Sequence, residues 1–236
     1  MADEAPRLTR RRFVVGAGSA AVLVGAAASG GCGAAPSPLQ VQRTSSLRRP
    51  RRRGPVSLEE ALAQRRSRRE FTNQALTEQE ISQLLWAAQG ITADWGGRTS
   101  PSAGALYPLE LYVITPTAYG HYRPQGHRFE LLAERDLRSE LAAAALEQPA
   151  VRGAPLTLVI AAVYARTTGK YGSRGRRFVE LEAGHVTQNV LLQAVALGLA
   201  AVPIGSFDDQ RLAHTLRLPR EHAPLYIVAV GHPRAT

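Results

Sequence analysis

The segment Gly175–Ala200 limits the fold more than any other stretch of this chain. It reads as one long helix, and from Val190 onward its residues are apolar nearly all round the axis. Such a helix cannot lie on a surface, because it has no polar side to turn to water. It must be buried on every side, and burial that complete in so small a domain points to a subunit interface. Leu156–Val163 makes a similar demand: its nearly continuous apolar run is typical of a strand covered on both faces.

The remaining pattern is shorter in period. Ser57-Leu58-Glu59-Glu60 is a capping box that opens a helix to about Arg66. Thr77-Glu78-Gln79-Glu80 is a second box, with Ile81, Leu84, Leu85 and Ala88 on one face of the helix that follows. Strands are expected at Leu109–Thr115, Phe129–Leu132, Val202–Ile204 and Leu225–Val230. A turn is expected at 119–127, a helix from Asp136 to Leu146, and a helix capped by Asp208 or Asp209 that runs to about Leu216. Helices and strands mix without a clean βαβ repeat, so the fold class is α+β.

Charge separates the ends of the chain. Residues 1–53 hold ten Arg against Asp3 and Glu4, while residues 54–236 hold nineteen basic and seventeen acidic residues. The formal charge of +10 is therefore mostly a property of the N-terminal tail and gives no reason to expect a nucleic-acid partner. Thr9-Arg10-Arg11-Arg12-Phe13 followed by the small, apolar Val14–Ala28 resembles a twin-arginine export signal. At fifteen residues the apolar stretch is short for a membrane span, which needs roughly 20. Ala28-Ser29-Gly30-Gly31-Cys32 resembles a lipobox that would anchor the mature chain by lipid on Cys32, although the usual large aliphatic residue is missing. The expected organisation is a signal at 1–32, a flexible Pro/Arg-rich linker at 33–56 and a folded domain at 57–236. The expected location is the periplasm or the outer face of the cytoplasmic membrane. Twin-arginine export handles folded proteins, often with a cofactor already loaded, so the signal itself favours a bound redox cofactor.

Three constellations carry chemistry. Arg65, Arg66, Ser67, Arg68 and Arg69 combine guanidinium groups with a hydroxyl, a set suited to phosphate or equally to a solvated face. Pro101, Ser102, Ala103 and Gly104 lie in a small-residue stretch that lets a planar ligand approach the backbone, and a helix starting near Ser102 would aim its amides at it. Lys170 is the only lysine, beside twenty-eight arginines, and Tyr171 follows it. Only an amine can lose its proton near neutral pH when desolvated, so the two form a candidate proton-transfer pair. The six histidines lack metal-ligand spacing, and there is no P-loop, dinucleotide fingerprint or Ser-His-Asp order.

Taken together, Arg65–Phe71, Leu84–Thr92, Arg98–Tyr112, Lys170–Phe178, Glu182–Gly198 and Ile204–Asp208 resemble the nitroreductase superfamily, and within it the SagB/thiazole–oxazole oxidase-type dehydrogenases. The resemblance covers roughly 57–233. It implies a mixed central sheet flanked by helices, a long interface helix, and a homodimer with FMN in each interface. It implies that Arg65, Arg66, Ser67 and Arg69 hold the phosphate and pyrimidine edge of FMN. Pro101, Ser102, Ala103 and Gly104 would lie under the ring system, Ile204 and Gly205 would meet its N5/O4 side, and Gln188 and Asn189 would be polar positions of the interface helix. Lys170 and Tyr171 match a pair that takes the proton while the flavin takes hydride. Many relatives place basic residues near the C-terminus over the phosphate; here the chain ends Arg234-Ala235-Thr236, which leaves that contact open.

Three activities follow as alternatives. A dehydrogenase or oxidase of a small-molecule or peptide substrate suits the Lys170–Tyr171 pair and an exported enzyme. An NAD(P)H-dependent nitro- or quinone-reductase needs no such pair and would lack its donor outside the cytoplasm. A binding protein that keeps the fold without catalysis is the third.

Overall fold

The computed structural model describes residues 36–234. The twin-arginine segment and Cys32 lie outside the described residues. The elements are β1 (Arg43–Ser46), α1 (Leu58–Gln64), α2 (Glu78–Gln89), a 3-10 turn (Ala103–Ala105), β2 (Leu109–Ile114), β3 (Tyr119–Arg123), β4 (Arg128–Ala133), α3 (Arg138–Ala144), α4 (Pro149–Gly153), β5 (Leu156–Ala162), α5 (Tyr164–Tyr171), α6 (Arg174–Ala196), β6 (Ala200–Ile204), α7 (Asp209–Thr215) and β7 (Ala223–Gly231).

The strands form one seven-stranded sheet in the order β1-β4-β3-β2-β5-β7-β6. Every strand pair is antiparallel, so the sheet is not mixed as expected; the parallel component among the described residues is the isolated Ser67–Ala201 bridge. Strand alternation divides the core. Leu109, Leu111, Leu158 and Val228 face α2 and α6, where they meet Leu84, Leu85, Val186 and Val190. Tyr112, Val159, Ala161 and Ile227 face the other way, onto Leu141 of α3, Val151 of α4 and Leu212 of α7. β5 is buried along its whole length, as its apolar run requires.

Both capping boxes form, with Ser57 and Thr77 accepting from the amides of Glu60 and Glu80. Asp208 caps α7; α3 has Leu137 at its cap position, which offers no side-chain bond, and Asp136 accepts from the Arg138 amide at 3.0 Å. Two differences from the sequence pattern stand out. The stretch 119–127 contains a strand, β3, because Tyr119, His121 and Tyr122 are buried by their neighbours in the sheet. The part of 33–56 expected to be a flexible linker that is described lies along the domain: β1 pairs with β4, Arg48 offers its carbonyl to Ser82, and the Arg51 amide donates to Gln83 Oε1 at 2.8 Å.

Candidate active site

One end of the sheet gathers the loop before β2, the helix after β5 and the exit of β6. Leu109 at the start of β2 pairs with Ala162 at the end of β5, and the Val163 amide donates to the Pro108 carbonyl at 2.8 Å. Ile204 at the end of β6 pairs with Ile227, which itself pairs with Val159, so Gly205 leaves the sheet toward that same end.

The loop carrying Pro101, Ser102, Ala103 and Gly104 is closed by its own hydrogen bond: the Tyr107 amide donates to Ser102 Oγ at 2.9 Å. The helix expected from Ser102 is only the single 3-10 turn, with Gly104 at φ 64°, so no array of helix-end amides forms. Gly104 is constrained twice. Its φ disfavours a side chain, and a Cβ there would lie 2.8 Å from the Tyr171 hydroxyl and 2.9 Å from the Lys170 amine. Ser102, Gly104, Lys170 and Tyr171 are therefore one cluster.

Lys170 and Tyr171 sit in the last turn of α5, which ends on Gly172 at φ 58° and ψ −148°, a region essentially restricted to glycine. Lys170 is an exposed residue, but its amine lies against Gly104 and 5.4 Å from the Tyr171 ring centre, and that ring packs edge-on against Phe178 at 5.2 Å. A phenol and an amine side by side can pass a proton between a bound substrate and water.

The arginine cluster lies at the other end of β6. α1 stops at Gln64, Ser67 bridges to Ala201, and the Arg68 amide donates to the Ala201 carbonyl at 3.0 Å. Arg66 is turned back: its guanidinium donates to the carbonyls of Ala63 at 3.0 Å and Arg65 at 2.8 Å, which satisfies the end of α1. Among the described residues, the side chains of Arg65, Ser67 and Arg69 make no hydrogen bond or ion pair and stay available to an anion. The C-terminal segment runs beside them, since the Thr72 amide donates to His232 and the Arg234 amide donates to Glu70. The Arg234 backbone therefore lies beside Glu70, next in sequence to Arg69. Within one chain, no hydrogen bond or ion pair among the described residues links Arg65–Arg69 to Pro101–Gly104.

Gln188 on α6 is half-buried. Its neighbour Asn189 is a fastening: its amide donates to the carbonyls of Ala87 and Thr99 and to Ser100 Oγ at 2.9 Å.

Sequence reasoning missed Glu182. It lies on α6, only 3% exposed, facing Ser102, Gln89 and Arg98. Burial pushes its carboxyl up to about 7, against the smaller pull of Ser102, Gln89 and Arg98. Its Oε1 has no hydrogen-bond partner, nor has Gln89 Nε2 or Arg98 Nε. Helical spacing contained the signal, because Val179, Ala183 and Val186 put position 182 on the buried side of α6. The Arg98 guanidinium lies over the Tyr107 ring, 4.3 Å from its centre, and donates to Gln89 Oε1 at 2.8 Å.

Residues 62–232 match the nitroreductase family model. The chain belongs to the nitroreductase family. A nitroreductase-like protein of Methanocaldococcus jannaschii is 43% identical over 182 residues, covering 75% of this chain and 91% of that one. The crystal structure of a nitroreductase-like protein from Ralstonia eutropha superposes with a TM-score of 0.73 at 30% identity, covering 86% of this chain and 97% of that one. The microcin B17-processing protein McbC of Escherichia coli is 29% identical over 146 residues, 57% of this chain and 54% of its own length. Among nitroreductase-family chains the shared fold is that of a flavin oxidoreductase.

Proposed function

We propose that this chain is an FMN-dependent dehydrogenase or oxidase that works as a homodimer. The observation that carries the reading is the contact of Gly104 with both Lys170 and Tyr171, which puts a proton-handling pair directly on the loop expected under the flavin ring.

The residues suit FMN. Arg65, Ser67, Arg69 and Arg234 supply cations and a hydroxyl for a phosphate. Gly205 is exposed and a Cβ there would meet nothing closer than the Tyr226 ring at 3.5 Å, so a planar group can approach its backbone together with Ile204. Ala201, beside Ser67, and Ile204 are three residues apart on β6, roughly 10 Å along a strand. When bound, FMN supplies hydride-accepting chemistry. The chain's own part is to orient the substrate over the Ser102–Gly104 loop, to take a proton at Lys170 Nζ or Tyr171 Oη, and to release it to water from the exposed end of α5.

Dimerisation accounts for two further features. The phosphate-gripping residues and the loop are not bonded to each other within one chain, and a second copy would complete the site. Leu58, Leu62 and Leu181 are also exposed at 60%, 52% and 52%. They belong to α1 and α6, whose half-buried Leu192 and Ala196 line an apolar groove with Trp86. The Lys170–Tyr171 pair favours dehydrogenation over nitro reduction, which needs no such pair. We further propose export by the twin-arginine route, with lipid attachment at Cys32 as its variant.

An absorbance spectrum of the purified protein should show the bands of oxidised flavin, and Ser67→Ala with Arg69→Ala should weaken FMN binding by about tenfold or more. Lys170→Ala should abolish most dehydrogenation while FMN stays bound. Colourless protein that takes up no FMN, or unchanged turnover in Lys170→Ala, would refute the reading; rapid bleaching by NADPH would favour a reductase.

A further inference from the structure

The geometry points to Arg166 as the positioning residue that sets the spacing between the Lys170–Tyr171 helix and the Ser102–Gly104 loop. This rests on the proposed role of that pair and names what holds it in place.

α5 is held against α6, where the Gly175 backbone meets that of Thr168. It has eight residues, no side-chain cap at its start, and only Thr167 buried. Its aromatic contacts lead to α6: Arg176 lies over the Tyr164 ring at 4.1 Å, and Phe178 meets Tyr171. Neither contact fixes α5 against the loop. Among the described residues, the side-chain hydrogen bonds that join α5 to the loop and to β2 come from Arg166. One guanidinium nitrogen donates to the Tyr107 carbonyl at 3.1 Å, and the other donates to Glu110 Oε1.

Both acceptors belong to residues bonded elsewhere in the fold. Tyr107 is the residue whose amide closes the loop onto Ser102. Glu110 is 7% exposed in β2 and bonded through Oε2 to His121 Nε2 of β3 at 2.7 Å. Burial alone would raise the Glu110 carboxyl, but His121 and Arg166 outweigh it and bring it down to about 2, so it is a permanent anion. The planar fork of arginine can hold a carbonyl and a carboxylate at once, which a single ammonium does less well. Arg166 is one turn before Lys170 on the same side of the helix, so its grip is passed directly to the amine. The Arg166 side chain is 40% exposed, and an ion pair so open contributes little to global stability. Its consequence is local: the distance from Gly104 to Lys170 and Tyr171.

Lys170 is the only lysine, so an amine-selective reagent with peptide mapping reports on this one side chain in the full-length protein. The test compares its modification rate in wild type, Arg166→Gln, Glu110→Gln and the double variant. Charge effects alone act oppositely: loss of a neighbouring cation slows the reaction by favouring ammonium, and loss of an anion speeds it. If Arg166 acts by position, both single variants release the amine from Gly104 and Tyr171. Each should then speed modification by about threefold or more, with no further gain in the double variant. Arg166→Lys should restore part of the wild-type rate. Slower or unchanged modification in Arg166→Gln overturns the proposal; if that variant does not fold, an unchanged rate in Glu110→Gln does so. Failure of the proposed function shows separately, as turnover that survives Lys170→Ala.

Discussion

Glu182 shows how one buried carboxyl ties the site to the pH stability of the fold. Its value of about 7 lies above the ordinary 4.5, so the folded chain holds this proton more tightly than the unfolded chain. The stability it adds is complete below about pH 4.5 and is lost as pH rises through about 7. Between about pH 5 and 8 the loss should be on the order of 2 kcal/mol. Glu182→Gln keeps the shape without the charge, so urea unfolding of that variant should lose this decline and be more stable than wild type on its alkaline side. An equally steep decline in the variant would assign the effect elsewhere. Glu110 is the opposite case, ionised across this window, and its contribution is lost only in strong acid.

At the scale of elements, short helices depend on their ends. α2 opens on a capping box in which Thr77 Oγ1 accepts from the Glu80 amide and Glu80 accepts from the Thr77 amide at 2.7 Å. Thr77→Ala should cost about 1 kcal/mol in urea unfolding. FMN affinity should be unchanged, because the box lies at the far end of α2 from Gln89 and the Arg98 contact. These ends were legible in sequence because capping chemistry is local. The strand at Tyr119–Arg123 was not, because tyrosines and histidines in a Gly- and Pro-rich stretch signal a turn until sheet neighbours bury them. α5 was missed for a related reason: Tyr164–Tyr171 has no cap signal and almost no buried face.

The whole molecule is shaped by apolar surface that one chain leaves open. Leu62 on α1 and Leu181 on α6 are exposed in the single chain. Sedimentation should find a dimer, and Leu62→Glu with Leu181→Glu should yield monomers with FMN affinity reduced by about tenfold or more, since charge at an apolar interface is strongly disfavoured. Monomeric wild-type protein that binds FMN fully would remove the need for a second copy.

The sequence by itself determined the long helix, the doubly covered strand β5 and the helix caps, and it offered the residue types proposed for a phosphate grip and a proton pair. Each of these is written in local periodicity or in the chemistry of adjacent side chains. Tertiary structure alone decided which of them meet. The pairing of Leu109 with Ala162 brings Gly104 to Lys170, the segment after β7 runs beside Glu70, and the sheet buries Glu110 where Arg166 can reach it. Contacts between residues fifty or more positions apart depend on strand register and packing, and no short stretch of sequence encodes those.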